Sequence, residues 1–180
     1  TREGHTVRRA FSLVEVITVA VIMGILAVSV IPAFSTIEGA RGAAAADEIA
    51  RLLSVARAHA TATGDATGVA VNVADESITP LRINSAATAT EPIPGALGVD
   101  RPALIVTATF PGVALTSVTL GDGTIGDGTI WFGHDGTPRL RDANLDDTGP
   151  ATTDSVIELT GGELVRVRRL SGAIEQEAAP

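Results

Sequence analysis

The chain has 180 residues, of which 45% are hydrophobic, with four Phe, one Trp, no Tyr and no cysteine. Without cysteine there is neither a disulfide framework nor a thiolate metal site, and with so few aromatics a core must come mostly from Val, Ile and Leu. All 13 basic residues are Arg, against 21 acids and a net charge of −8. Outside residues 1–10 the balance is 10 Arg to 20 acids, which excludes nucleic-acid binding through bulk charge and leaves open only a local basic strip.

Residues 1–10 form a basic leader, with Arg2, Arg8 and Arg9 against Glu3. Val16 to Phe34 then run for 19 residues without a formal charge. At about 1.5 Å rise per residue, the stretch from Phe11 spans a bilayer core. The pattern predicts a membrane helix over 11–34. Arg8 and Arg9 stand just before it and no comparable cluster follows, so the positive-inside rule puts the start in the cytoplasm and exports the body.

Glu15 interrupts the apolar run. A carboxylate there costs on the order of 3 kcal/mol and calls for a cation. Cleavage before Phe11 would supply one, because the new α-amine would lie one helical turn from Glu15, or would face the Glu15 of a neighbouring subunit. A cleavable secretory signal, with Ala27-Val28-Ser29 as its cut site, is an alternative that the charge of Glu15 opposes. A plain uncleaved anchor also fits the hydropathy but leaves the Phe-to-Glu spacing without a reason.

The segment Ala10-Phe11-Ser12-Leu13-Val14-Glu15 resembles the processing site of type IV pilins and type II secretion pseudopilins. The resemblance implies that a membrane-embedded prepilin peptidase cuts between Ala10 and Phe11 and N-methylates Phe11. It implies further that Glu15 guides docking as the helix leaves the inner membrane for a helical filament of pilins or pseudopilins. The family prefers Gly where this chain has Ala10. Pro32 matches a frequent pilin helix kink, as a lost backbone donor would produce.

Past Pro32, Gly39 and Gly42 weaken helix locally, and residues 43–63 are rich in helix formers, with Gly64 as a C′ stop. Ile49, Leu52, Leu53, Ala56 and Ala60 fall on one apolar stripe, and Asp47 stands four residues before Arg51, the favourable order for an ion pair. Residues 35–64 therefore read as an amphipathic half-helix whose stripe needs a sheet to cover it.

From 65 to 180 the pattern changes to short apolar runs between Gly, Pro, Asp and Thr. Strands are predicted over 68–74, 103–110, 112–120, 129–132, 155–161 and 163–170, with 84–102 as a long loop. Val69, Val71 and Val73 alternate, as do Val165 and Val167 with Arg166 and Arg168, which indicates antiparallel sheets with one wet face. The fold class is α+β, a long N-terminal helix packed on antiparallel sheets.

Arg57, Ala58 and Ala60, the Val69–Val73 strand, Phe132-Gly133 with Gly136-Thr137-Pro138, and the closing hairpin from 165 to 175 are similar to the GspH-type minor pseudopilins and the related FimT minor pilins. This resemblance implies a structural subunit of a type II secretion pseudopilus. The alternatives are a FimT-like minor pilin that binds DNA for uptake and a plain membrane-anchored exported domain.

Gly121-Asp122-Gly123-Thr124-Ile125-Gly126 spells G-x-G-x-x-G, but a dinucleotide site needs a helix to begin there, and a Trp-Phe strand follows instead. The segment reads as a turn or hairpin tip. Asp142, Asn144, Asp146 and Asp147 open like a calcium loop, yet Asp147 replaces the Gly of position six and Thr153 the Glu of position twelve; a solvated acidic turn competes with calcium. Calcium occurs in the major pseudopilin, which the resemblance brings with it. His5, His59 and His134 have no mutual metal spacing, and the common hydrolase, zinc-protease and Walker motifs are absent, so no enzyme and no cofactor is expected. Arg166, Arg168 and Arg169 form the one basic cluster outside the leader. It is either a phosphate-binding strip or, with Glu158, Glu163, Glu175 and Glu177 nearby, a charged edge that blocks strand pairing.

Overall fold

The computed structural model describes residues 12–84, 86–95 and 98–178, without the side chains of 27–36. The expected cut between Ala10 and Phe11 and the Pro32 side chain therefore lie outside the described residues. The chain divides into two units, Thr1–Ile37 and Glu38–Pro180. Helix α1, Leu13–Thr63, contributes to both.

In the first unit, Ser12 caps the helix: its Oγ accepts the Glu15 N–H at 3.2 Å, and its carbonyl accepts Val16 N–H at 3.2 Å. Every side chain from Ser12 to Leu26 is exposed, Leu13 by 77% and Met23 by 67%. Among the described residues no helix is long and apolar enough to cross a membrane; the span expected over 11–34 includes side chains outside that description.

In the second unit the stripe is buried as its spacing predicts. Ile49, Leu53, Ala56 and Ala60 are fully enclosed and Leu52 nearly so. Enclosing Ile49 and Leu53 stabilises by about 1.5–3 kcal/mol each. Gly42 does not break the helix. It is buried, and a Cβ there would stand 3.2 Å from Glu163 Cγ, so it lets the helix approach that strand. Gly64 ends the helix with φ +79° and an N–H bond to Ala60 at 2.9 Å. One expectation fails here: Arg51 pairs with Glu48, its Nε reaching Oε2 at 2.7 Å, rather than with Asp47. That bond holds the Glu48 carboxyl below its ordinary range.

Two antiparallel sheets cover the stripe. The first contains β1 (Thr67–Asn72), β2 (Ser77–Ile83), β3 (Thr90–Pro92), β4 (Leu104–Ile105), β6 (Gly128–Phe132), β7 (Pro138–Arg141) and β8 (Asp147–Pro150). Its order is β3-β2-β1-β6-β7-β8, with β4 beside β2. The second contains β5 (Leu115–Thr119), β9 (Ser155–Leu159), β10 (Glu163–Val167) and β11 (Ile174–Ala178), in the order β11-β10-β9-β5. Val69, Val71, Ile130 and Phe132 from the first and Val118, Ile157, Val165 and Val167 from the second join the helix stripe in one core.

Two predicted features change, and a third keeps its form. The strand expected over 103–110 is only β4, after which α2 (Val106–Thr109) makes a single helical turn. Val106 is buried there, and its N–H is held by the Glu76 carbonyl at 2.9 Å. The expected loop over 84–102 contains β3, which extends the sheet beyond β2. The repeat Gly121–Ile130 does turn, with Leu120 N–H to Thr124 O at 2.8 Å and Gly123 N–H to Leu120 O at 2.9 Å. It closes a short hairpin tip, with Thr119 bridged antiparallel to Ile125 and Gly126 N–H on Val118 O at 2.9 Å, while β5 before it and β6 after it belong to different sheets.

Candidate functional site

Glu15 stands exposed in the first turn of α1, where a carboxylate also suits the positive end of the helix. The chemistry that the sequence assigns to Glu15 depends on an amine that only a processed or neighbouring chain provides.

The arginine cluster takes a form that periodicity alone does not reveal. β10 lies between β9 and β11, so Arg166 is on an interior strand, and Arg168 and Arg169 open the turn to β11; the cluster is not a sheet edge. Arg166 stands opposite Glu175 in the ladder but reaches diagonally to Glu177 at 3.2 Å, while Arg168 takes Glu175 at 2.7 Å. Asp154 stands on the other side, 3.1 Å from Arg168 and 4.0 Å from Arg166. Arg169 turns back over the same acid, its backbone N–H on Asp154 Oδ1 at 2.9 Å and its guanidinium on the Thr152 carbonyl at 2.9 Å. The Arg169 N–H, helped by the Arg168 guanidinium, holds the Asp154 carboxyl below the usual range. Three cations thus meet three carboxylates in one network.

The acidic segment organises the turn between β7 and β8. Asp142 Oδ1 accepts the N–H groups of Asn144 at 2.9 Å and Asp146 at 3.0 Å, and Leu145 adopts φ +68°. Asp147 turns away, with one oxygen on Gly149 N–H at 2.9 Å and the other 3.8 Å from Arg139. Among the described residues no three His, Asp or Glu side chains gather as a metal site.

Arg57 and His59, on the last turns of α1, are in contact with the domain. Arg57 donates from Nε to the Gly136 carbonyl at 3.0 Å and from Nη2 to the Ser171 carbonyl at 2.9 Å, linking a turn of each sheet. The turns fit together only because Gly172, at φ +64°, has no side chain: a Cβ there would stand 2.1 Å from the Gly136 oxygen. His59 Nδ1 lies 3.2 Å from Thr67 Oγ1.

A cavity of about 380 Å³ lies where β6 and β7 part, and sequence reasoning missed it. Trp131, Arg139 and Arg141 line it, with Leu120 and Leu140 among the apolar wall. Arg141 lies over the Trp131 ring at 5.8 Å and holds the Leu145 carbonyl. Gly68 accommodates the indole: a Cβ there would be 2.7 Å from Trp131 Cε3. The usable signal was alternation, since Trp131 pairs with Arg139 across the ladder and Arg141 follows two residues later on the same face.

No family model matches the sequence, and no curated protein matches it. Solved structures do. The crystal structure of the minor pseudopilin EpsH from the type II secretion system of Vibrio cholerae aligns with a TM-score of 0.56 at 13% identity, covering 78% of this chain and 95% of that one. The fold is that of a minor pseudopilin. A second structure of EpsH from Vibrio cholerae aligns with a TM-score of 0.52 at 13% identity, covering 77% and 97%. The shared pseudopilin fold agrees with the α+β architecture expected from the sequence, helix on antiparallel sheets.

Proposed function

We propose that the protein is a minor pseudopilin of a type II secretion pseudopilus, a structural subunit without a catalytic role that supports protein secretion. The observation that carries this reading is the division of labour along α1 within the shared fold. The stripe from Ile49 to Ala60 is used up by the sheets, while the apolar side chains from Leu13 to Leu26 are all exposed. Such a surface is unstable in water and suits a bilayer or the helices of other subunits.

In this reading residues 11–34 first hold the chain in the inner membrane with residues 35–180 exported. Prepilin peptidase then cuts between Ala10 and Phe11 and methylates Phe11. The new amine, of the same chain or of a neighbour, pairs with Glu15, and this pairing registers the helix among those of other pseudopilins. Mass spectrometry of the mature protein tests it. Loss of residues 1–10 and one methyl group on Phe11 are expected; an intact leader would overturn the reading. Cross-linking to co-expressed pseudopilins should fall for Glu15→Ala and persist for Glu15→Asp.

A further inference from the structure

The arginines that line the cavity and those at the end of β10 differ in how far their charge is met. Arg166 and Arg168 have carboxylates at 2.7 to 3.2 Å. Arg139 has one, Asp147, at 3.8 Å, and Arg141 has none among the described residues. Nε of Arg139 and of Arg141 is sheltered from solvent and makes no hydrogen bond, as is also true of Arg166, so the contrast lies in the carboxylates. A guanidinium carries five donors in a fork that matches a carboxylate, so both retain capacity for one.

The cavity beside them also has a main-chain wall. β6 meets β7 at Trp131↔Arg139 and Phe132↔Pro138, and there the pairing stops while β7 continues along β8. Gly128, Thr129 and Ile130 are therefore paired on the β1 side alone. Main-chain groups in an antiparallel ladder alternate in direction. Thr129, two residues before Trp131, consequently turns its N–H and C=O toward the gap.

We infer that this cavity binds an extended acidic segment of a partner protein. The segment adds main-chain hydrogen bonds to β6 at Thr129 and sets a carboxylate against Arg139 and Arg141. Strand addition supplies main-chain affinity while flanking side chains supply specificity, and the volume is that of a small binding site. Two observations favour a peptide over a nucleic acid: a segment with one or two carboxylates meets far less repulsion from the 20 acids of the body than a chain of phosphates does, and the wall of Leu120, Leu140 and Trp131 is apolar. The inference stands on the groove alone and does not depend on the secretion role.

Trp131 is the only Trp of the chain, so its fluorescence reports on the groove. The full chain in detergent micelles is titrated with the capped peptide Val-Glu-Val-Glu-Val and with its Gln counterpart. A saturable emission change is expected for the Glu peptide, at least about 10-fold weaker for the Gln peptide. Arg139→Gln with Arg141→Gln should weaken the Glu peptide by about 10-fold or more, and Arg166→Gln with Arg168→Gln should leave it within about 2-fold. Circular dichroism establishes that each variant is folded; if the double variant is not, Arg141→Gln alone and the two peptides carry the test. No saturable response to the Glu peptide, equal binding of the Gln peptide, or an undiminished response in Arg141→Gln would overturn the proposal. Tighter binding of an oligothymidylate, lost in the same variants, would replace the peptide with nucleic acid.

Discussion

Residues 13–26 and 45–60 belong to one helix and draw on the same apolar residue types, yet the first set is exposed throughout and the second is enclosed along a stripe. The difference lies in arrangement more than in hydrophobic content. From 45 to 60 the back of the helix carries Asp47, Glu48 and Arg51, so one face is specified for burial and the sheets supply the match. From 16 to 26 every face is apolar, a pattern that a single domain has no means to cover. In the proposed reading, other subunits or lipid cover it.

The sharpest way to break this comparison is to truncate one apolar residue in each half. Leu53→Ala should cost about 2–5 kcal/mol by opening a cavity in the shared core. Ile17→Ala should leave the urea midpoint of the domain, measured on the full chain in micelles, within about 0.5 kcal/mol. Equal losses would mean that both halves are packed by the same chain. The next effect concerns how the end of the buried half is locked. Gly172→Ala forces a Cβ against the Gly136 carbonyl at a positive φ and should cost about 2 kcal/mol in the same measurement. Arg57→Met keeps the aliphatic stem but removes two donors; a loss of about 1–2 kcal/mol is expected, reduced in Arg57→Lys.

The smallest effect depends on pH. Asp154 has its carboxyl lowered in the folded state, chiefly by the Arg169 N–H. A lowered carboxylate stabilises the fold above the ordinary Asp value of about 4, and that stability is lost as pH falls through the native value. Asp154→Asn should therefore flatten the decline in stability between about pH 5 and pH 2. The change should stay under about 1 kcal/mol, because the pair is partly solvated. An unchanged acid limb in urea melts at pH 6 and pH 3 would remove Asp154 from the explanation.

Features with a local cause were readable in the sequence. The stripe from Ile49 to Ala60, the Gly64 stop and the alternating Val69 and Val71, Val165 and Val167 fold as their spacing dictates. β2 escaped notice because Pro80 sits inside it, and proline in a strand argues against one; here it lies opposite Val69 and its carbonyl receives Ile93 N–H at 3.2 Å. β7 and β8 were hidden by the acidic turn between them. The allocation of β5 to one sheet and β6 to the other is a long-range choice that no short window contains. The site divides in the same way. Arg166, Arg168 and Arg169 were visible as a cluster, but Asp154, Glu175 and Glu177 reach them through folding and register. Trp131 and Arg141 are ten residues apart and meet only because β6 and β7 are neighbours.

The hold of Arg57 on two turns also says something about the order in which the molecule is built. Its partners are 79 and 114 residues further along the chain. Contacts of such separation close late, after the loop entropy between them has been overcome by other pairings. The Gly136 turn needs β6 and β7, and the Ser171 turn needs β10 and β11, so both bonds can exist only when each sheet already stands. The two Arg57 bonds therefore fasten the end of α1 only to a domain whose two sheets are both in place.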